Sequence, residues 1–249
     1  MRLTLGDDWH ASVTDTPLPF APRFTGTAVT VAPYTDTKER VRFLADTFGS
    51  QEWLWDTADT LGFARGSREL TGAEFRLPTE TGAAGDCARL PAKPPVLPGG
   101  LRADEERDCR LEVTSVLCRA PGDTELTALR DPGVLDEPLQ ARLGLAPDLA
   151  LLIQHHTVVG WSLTDPARHL TSGYADPDPA PPAPATRELL GACLDLITYP
   201  LLDEVQDEEP AALARLRETH RALTARREDR RRADALLALI ATLVEDYGD

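Results

Sequence analysis

The sequence predicts an α+β protein: a small mixed sheet with covering helices, followed by a C-terminal helical hairpin or one long helix. Three observations carry this. In the first half, short β-branched runs bounded by Gly and Pro alternate with segments of helical period. Residues 174–186 hold five prolines, which removes the N–H groups that a helix or a ladder needs. From Pro210 to Tyr247 no Pro or Gly interrupts the helical pattern. The expected organisation is an α+β region over 1–173, a Pro-rich linker over 174–186 and a helical unit over 187–249.

Taken in order, residues 2–5 and 26–32 read as strands. Val41, Leu44, Ala45 and Phe48 then recur at helical spacing with Asp36 as a natural N-cap, so a helix is expected over 37–48. A second is expected over 50–61, capped by Ser50 and stopped by Gly62, with Trp53 and Trp55 on it. The prolines at 78, 91, 94, 95 and 98 mark a surface loop. After it, 110–118 alternates as a strand, and 124–130 and 135–143 read as short helical turns. The apolar segment 149–164 reads as one long buried strand or two joined near His155–Thr157, with Gly160 at a bulge.

Thr186 is expected to cap a helix over 187–199 whose leucines leave few exposed positions. Asp207, Glu208, Glu209 and Pro210 suit the start of the next helix, where acids meet the positive end and Pro fits the first turn. In a heptad frame, Leu216, Leu223, Leu237 and Val244 form one apolar column and Ala233, Ile240 and Tyr247 the next, and Arg230 and Arg226 break the middle. That gap points to a hairpin, or to a long helix whose centre meets solvent.

Charge and composition limit the partners. The 249 residues carry 26 Lys+Arg against 41 Asp+Glu, for a net charge of −15, and 42% are hydrophobic. Such a chain buries a core, and its acidity repels nucleic-acid phosphates and anionic lipid heads. Lys38 and Lys93 are the only lysines. The arginine excess reflects a GC-rich genome and carries no functional weight. Cys87, Cys109, Cys118 and Cys193 show no C-x2–4-C spacing, so neither a closed zinc site nor a dithiol redox motif is expected. The N-terminus has no apolar h-region, and 149–153 and 189–202 are too short to span a membrane. A soluble, cytoplasmic, reduced protein without metal or cofactor is expected.

Four groups of residues invite a chemical reading. His155 and His156 lie close in sequence to Trp161, Asp165, Arg168 and His169. Imidazole titrates near neutrality, so a histidine held by a carboxylate is a natural general base. On that reading His155, His156, Asp165 and His169 are catalytic candidates, and Trp161 and Arg168 hold substrate. Packed or solvated histidines are the plainer alternative. Asp203, Glu204, Asp207 and Glu208 have a spacing that can bind Mg²⁺ on a continuous helix, but Pro200 and Pro210 flank them.

Between Arg215 and Arg232 stand eight arginines against three acids. No aromatic residue is present there to stack a base, which favours a solvated face or an acidic protein partner over nucleic acid. Asp8 and His10 would share one face of an extended segment, with Trp9 opposite. No dinucleotide, P-loop, nucleophile-elbow or HExxH motif is present. The leading expectation is an interaction or accessory protein working through an acidic surface and a C-terminal helical arm, with a protein partner. An enzyme using a pocket around 155–169 is the alternative.

Overall fold

The computed structural model describes residues 1–6, 8–50, 59–83, 87 and 93–248. The fold is α+β. Fourteen strands among the described residues form a nine-stranded mixed sheet and a five-stranded antiparallel one, with five α-helices. The sheets are therefore larger than the single small sheet expected.

β1 (Arg2–Gly6) and β2 (Trp9–Thr14) open the large sheet as a hairpin. Asp8 sits in its turn at φ 56, so it does not share an extended face with His10, while Trp9 is fully buried. β3 (Arg23–Phe24), β4 (Ala28–Val31), β5 (Thr47–Ser50), β6 (Thr60–Ala64) and β7 (Leu70–Arg76) form the small sheet, in the order 3-4-7-6-5. The ends of the helix expected over 50–61 are thus strand, and Trp53 and Trp55 lie outside the described residues. The two sheets meet through Trp9 on Phe63, with ring centroids 5.0 Å apart, and through Trp161 on Phe75 at 5.8 Å.

α1 (Thr37–Asp46) begins at the expected cap: the Asp36 carboxylate accepts from Glu39 N at 2.8 Å, and Glu39 accepts in turn from Thr35 N at 2.7 Å. Its contact with the sheet differs from the expected stripe. Val41 is 61% exposed and Phe48 belongs to β5. Phe43 supplies the contact instead, its ring lying over Gly62 and Gly72, which face each other in β6 and β7. A Cβ on either glycine would stand 2.6 or 2.8 Å from that ring.

The rest of the large sheet corrects several expectations. β8 (Val96–Pro98) lies where the Pro-rich composition suggested only loop, and β9 (Gly100–Ala103) begins at that segment's end. β8 pairs parallel to β12 at the sheet margin, where a proline's missing N–H costs least. The strand expected over 110–118 is confined to β10 (Val116–Arg119), and both helical turns are wrong as read. Residues 124–130 hold β11 (Glu125–Leu129), and 135–143 runs from a 3-10 turn (Pro132–Asp136) into β12 (Ala141–Ala146). The apolar segment is two strands, β13 (Leu149–Gln154) and β14 (Thr157–Thr164), with His155 and His156 as the turn. Pairing skips Val159 between Leu152–Gly160 and Ile153–Val158, which places the bulge beside Gly160.

α2 (Pro184–Leu196), α3 (Leu201–Gln206), α4 (Pro210–Ala225) and α5 (Arg230–Tyr247) follow, with α4 and α5 a helical hairpin. Leu190, Cys193 and Leu194 of α2 join Leu216 and Leu223 of α4 and Leu236 and Ile240 of α5 in one apolar cluster continuous with the sheets. Two arginine links seat α2. Arg119 holds Asp123 at 2.6 Å and Asp195 at 2.5 Å, and Arg187 holds Asp165. Thr186 is not the cap: its hydroxyl donates to Asp229 at 2.7 Å, and the same carboxylate accepts from Ala183 N at 3.1 Å. A carboxylate from the α4–α5 connection thus sits at the positive end of α2.

The Pro-rich segment is tied down through its carbonyls. Arg231 donates to Asp176 O, Arg232 to Asp178 O and Ala180 O, and Arg23 to Tyr174 O. Prolines leave carbonyls without matching N–H donors, and arginine, which only donates, answers that imbalance.

Candidate functional site

Residues singled out in the sequence border a cleft of about 620 Å³, walled by Phe20, Pro22, Pro147 and Pro177, with Asp148, Arg168 and His169 on its polar side. Several elements converge on it. The β12–β13 connection is a two-residue turn in which Pro147 precedes Asp148 at φ 62, a pairing that suits a tight turn. His169 ends a 3-10 turn (Pro166–His169) that opens on Asp165 at φ 50. The Pro-rich strap supplies the opposite wall.

His169 Nε2 lies 3.1 Å from Asp148 Oδ2, and Arg168 Nη1 lies 3.8 Å from the same oxygen. The imidazole is 5% exposed. Burial pushes its pKa below the ordinary value, and the neighbouring Asp148 only partly offsets this. The ring also bonds the backbone of Pro22, which has no N–H and so accepts. Its polar contacts are therefore acceptors within the protein, which orients the ring rather than aiming a free nitrogen into the cleft.

Arg23 also lines the cleft and is 3% exposed. It donates to Tyr34 O at 2.6 Å, Tyr174 O at 3.0 Å and Ala32 O at 3.1 Å, with its guanidinium 5.3 Å from the Tyr34 ring centroid. These contacts lock the first strand of the small sheet to the chain on both sides of the cleft.

The other candidates do not gather there. His155 and His156 both have positive φ, 47° and 60°, and form the exposed tip of the β13–β14 hairpin. His155 meets Glu137, and His156 N donates to Gln140 Oε1 at 2.9 Å. Asp165 serves Arg187, and Trp161 is a core residue stacked on Phe75. The carboxylates at 203–208 are divided between α3 and the turn after it. Among the described residues no group of three or more His, Cys, Asp or Glu is placed to hold a metal ion.

A second polar locus lies between the sheets and was not visible in the sequence. Asp59, 5% exposed, borders a cavity of about 20 Å³ with Arg130, Thr114 and Trp161, room for one water molecule. Burial pushes its carboxyl up to about 7, against the pull of a hydrogen bond from Arg76 N and of the Arg76 and Arg130 charges. Thr114 Oγ1 and Trp161 Nε1 are buried there without a hydrogen-bond partner among the described residues. An isolated acid between strands gives no signal in sequence. Asp148, by contrast, follows a proline between two apolar runs and could have been read as a turn.

At the far end of the helical hairpin, Arg221, Arg227, Arg230 and Arg231 are exposed and Arg226 half-buried. Glu228 lies 4.0 Å from Arg226, and Asp234 2.8 Å from Arg230. No helix among the described residues is long and apolar enough to cross a membrane. No protein-family model matches the chain, nor does any curated protein or solved structure.

Proposed function

We propose that this chain is a cytoplasmic interaction or accessory protein that docks a protein partner through its acidic surface and its C-terminal helical arm. The observation that carries the reading is the tip of the α4–α5 hairpin. One side of the hairpin is spent on the core, while the tip extends a cluster of arginines from a chain of net charge −15. Such a local inversion of sign steers and orients an acidic protein surface. The absence of aromatic residues from 215–232 favours a protein over nucleic acid. Four free cysteines, three of them buried, suit a reducing compartment.

The alternative, an enzyme, draws its support from the cleft that holds His169 and Asp148. It is weakened by a ring whose contacts are acceptors inside the protein.

Affinity purification from the native cell, run in parallel with the wild type and with Arg227→Glu/Arg230→Glu, tests the docking reading. Both residues are exposed, and circular dichroism equal to wild type checks that the variant is folded. A partner retained by the wild type and lost by the variant supports the reading. Equal capture by both, or none by either, overturns it.

A further inference from the structure

Two cysteines far apart in the sequence are brought together by the fold. After β7 the chain runs beside β10: Leu117 N donates to Glu80 O at 2.8 Å, and Gly82 N donates to Leu117 O at 2.9 Å. Cys118 is the next residue on β10, and Cys87 returns to the same place, its N–H donating to Ala83 O at 2.9 Å. Gly82 leaves the room that both side chains face. A Cβ there would stand 2.9 Å from Cys87 Sγ and 3.1 Å from Cys118 Sγ, so the two sulfurs lie at most about 6 Å apart, a separation that rotation about the Cα–Cβ bonds can close.

The two sulfurs differ in access. Cys118 is fully buried in an apolar cluster with Val116 and Leu129, whereas Cys87 packs against that cluster and is only half-buried. Cys109 and Cys193 are buried in the other apolar cluster. We propose that Cys87 and Cys118 form a peroxide-responsive thiol pair, reduced at rest and closed to a disulfide by a hydroperoxide. A half-buried sulfur on a chain of net charge −15 admits a small neutral oxidant more readily than a bulky anionic disulfide. Transient, redox-sensing disulfides of this kind are the ones that occur in reducing compartments.

The chemistry runs in two steps. Cys87, as thiolate, attacks one peroxide oxygen; an S–O bond forms, the O–O bond breaks, and the departing oxygen leaves as water (or as the alcohol of an organic hydroperoxide) with the proton the thiol released. Cys118 then gives up its proton and attacks the sulfur of the Cys87 sulfenic acid; the S–S bond forms, the S–O bond breaks, and hydroxide leaves with that proton as water. Two thiols are oxidised by two electrons in all, and one peroxide is reduced. The bond ties β10 to the segment whose Thr79 O accepts from Tyr199 N at 2.9 Å, just beyond α2, so oxidation braces the sheet against the chain that carries the helical unit.

Peptide mass mapping of the full chain tests this. The protein is reduced, freed of reductant and treated with about a tenfold excess of hydrogen peroxide; its remaining thiols are then alkylated in denaturant and the chain is cut with trypsin. Peptide 77–89 carries Cys87 and peptide 111–119 carries Cys118. The expected product is these two joined, lighter by two hydrogens than the separate peptides and parted again by dithiothreitol, with Cys109 and Cys193 alkylated. Cys118→Ser should abolish the linked peptide and leave Cys87 as a sulfenic acid that dimedone traps, while Cys193→Ser should still form the link. Circular dichroism equal to wild type shows that each variant is folded. The proposal is overturned if Cys87 and Cys118 are both alkylated after peroxide, if Cys87 is over-oxidised without the link, or if either is joined to Cys109, to Cys193 or to a second chain instead.

Discussion

Asp229 and Arg232 pair at 2.7 Å with only 8% and 1% of their side chains exposed. The pair joins three parts of the chain. Asp229 caps α2 through Ala183 and Thr186, and Arg232 holds the Pro-rich strap through the Asp178 and Ala180 carbonyls. Burial alone would raise the Asp229 carboxyl. Hydrogen bonds from Thr186, Arg232 and Ala183 outweigh it and hold the group below the usual carboxylate range.

Removing one member leaves the other charge buried without its partner, which costs about 3–5 kcal/mol. Asp229→Ala and Arg232→Ala should each lower stability to urea by that order, and the double variant should lose far less than the sum. A folded-state pKa below the unfolded value also means that the stability due to Asp229 is present above the ordinary carboxylate pKa and fades as pH falls through the folded value. Additive single losses would show that the two do not act as a unit.

Asp59 predicts the opposite pH dependence. Its folded pKa of about 7 stands above the ordinary value of 3.8, so the folded state binds the extra proton between those values. The favourable contribution is complete below the unfolded pKa and is lost as pH rises toward and through 7. Asp59→Asn should therefore stabilise the protein at pH 8, by up to about 4 kcal/mol, with the gain shrinking toward pH 4. Chemical denaturation at the two pH values is the check, and an equal effect at both would contradict the assignment.

The exposed His155-His156 turn makes a third prediction. Two consecutive positive φ angles suit Asn-Gly better than two imidazoles, and the contact with Glu137 is too exposed to contribute much. His155→Asn/His156→Gly should raise stability by about 1 kcal/mol and leave partner capture unchanged. Thermal unfolding decides it, and a loss of stability would assign the pair a role beyond the turn.

What could be read from the sequence was local. The cap at Asp36, the strands beginning at Arg2 and Ala28 and the uninterrupted helices after Pro210 depend on neighbours a few residues away. β11 and β12 were misread because Leu and Ala suit helices in isolation. Their strand state comes from pairing with β14 and β13, and a sequence window does not contain that partner. The candidate site divides the same way. His169 and Arg168 were visible as a histidine and an arginine in a suggestive stretch, but Asp148 lies 21 positions from His169, and the Arg23–Tyr174 contact spans 151. For His155 and His156 the sequence left open one strand or two joined there, because a turn with two positive φ angles usually announces itself by Gly or Asn.

The docking role of the arginine tip is tested most directly by isothermal titration calorimetry of the full chain against its captured partner, comparing the wild type with Arg227→Glu/Arg230→Glu. The account predicts that charge reversal weakens binding by at least about tenfold, and that added salt narrows the difference. Equal affinities for the two chains, at low and at high salt alike, would contradict it.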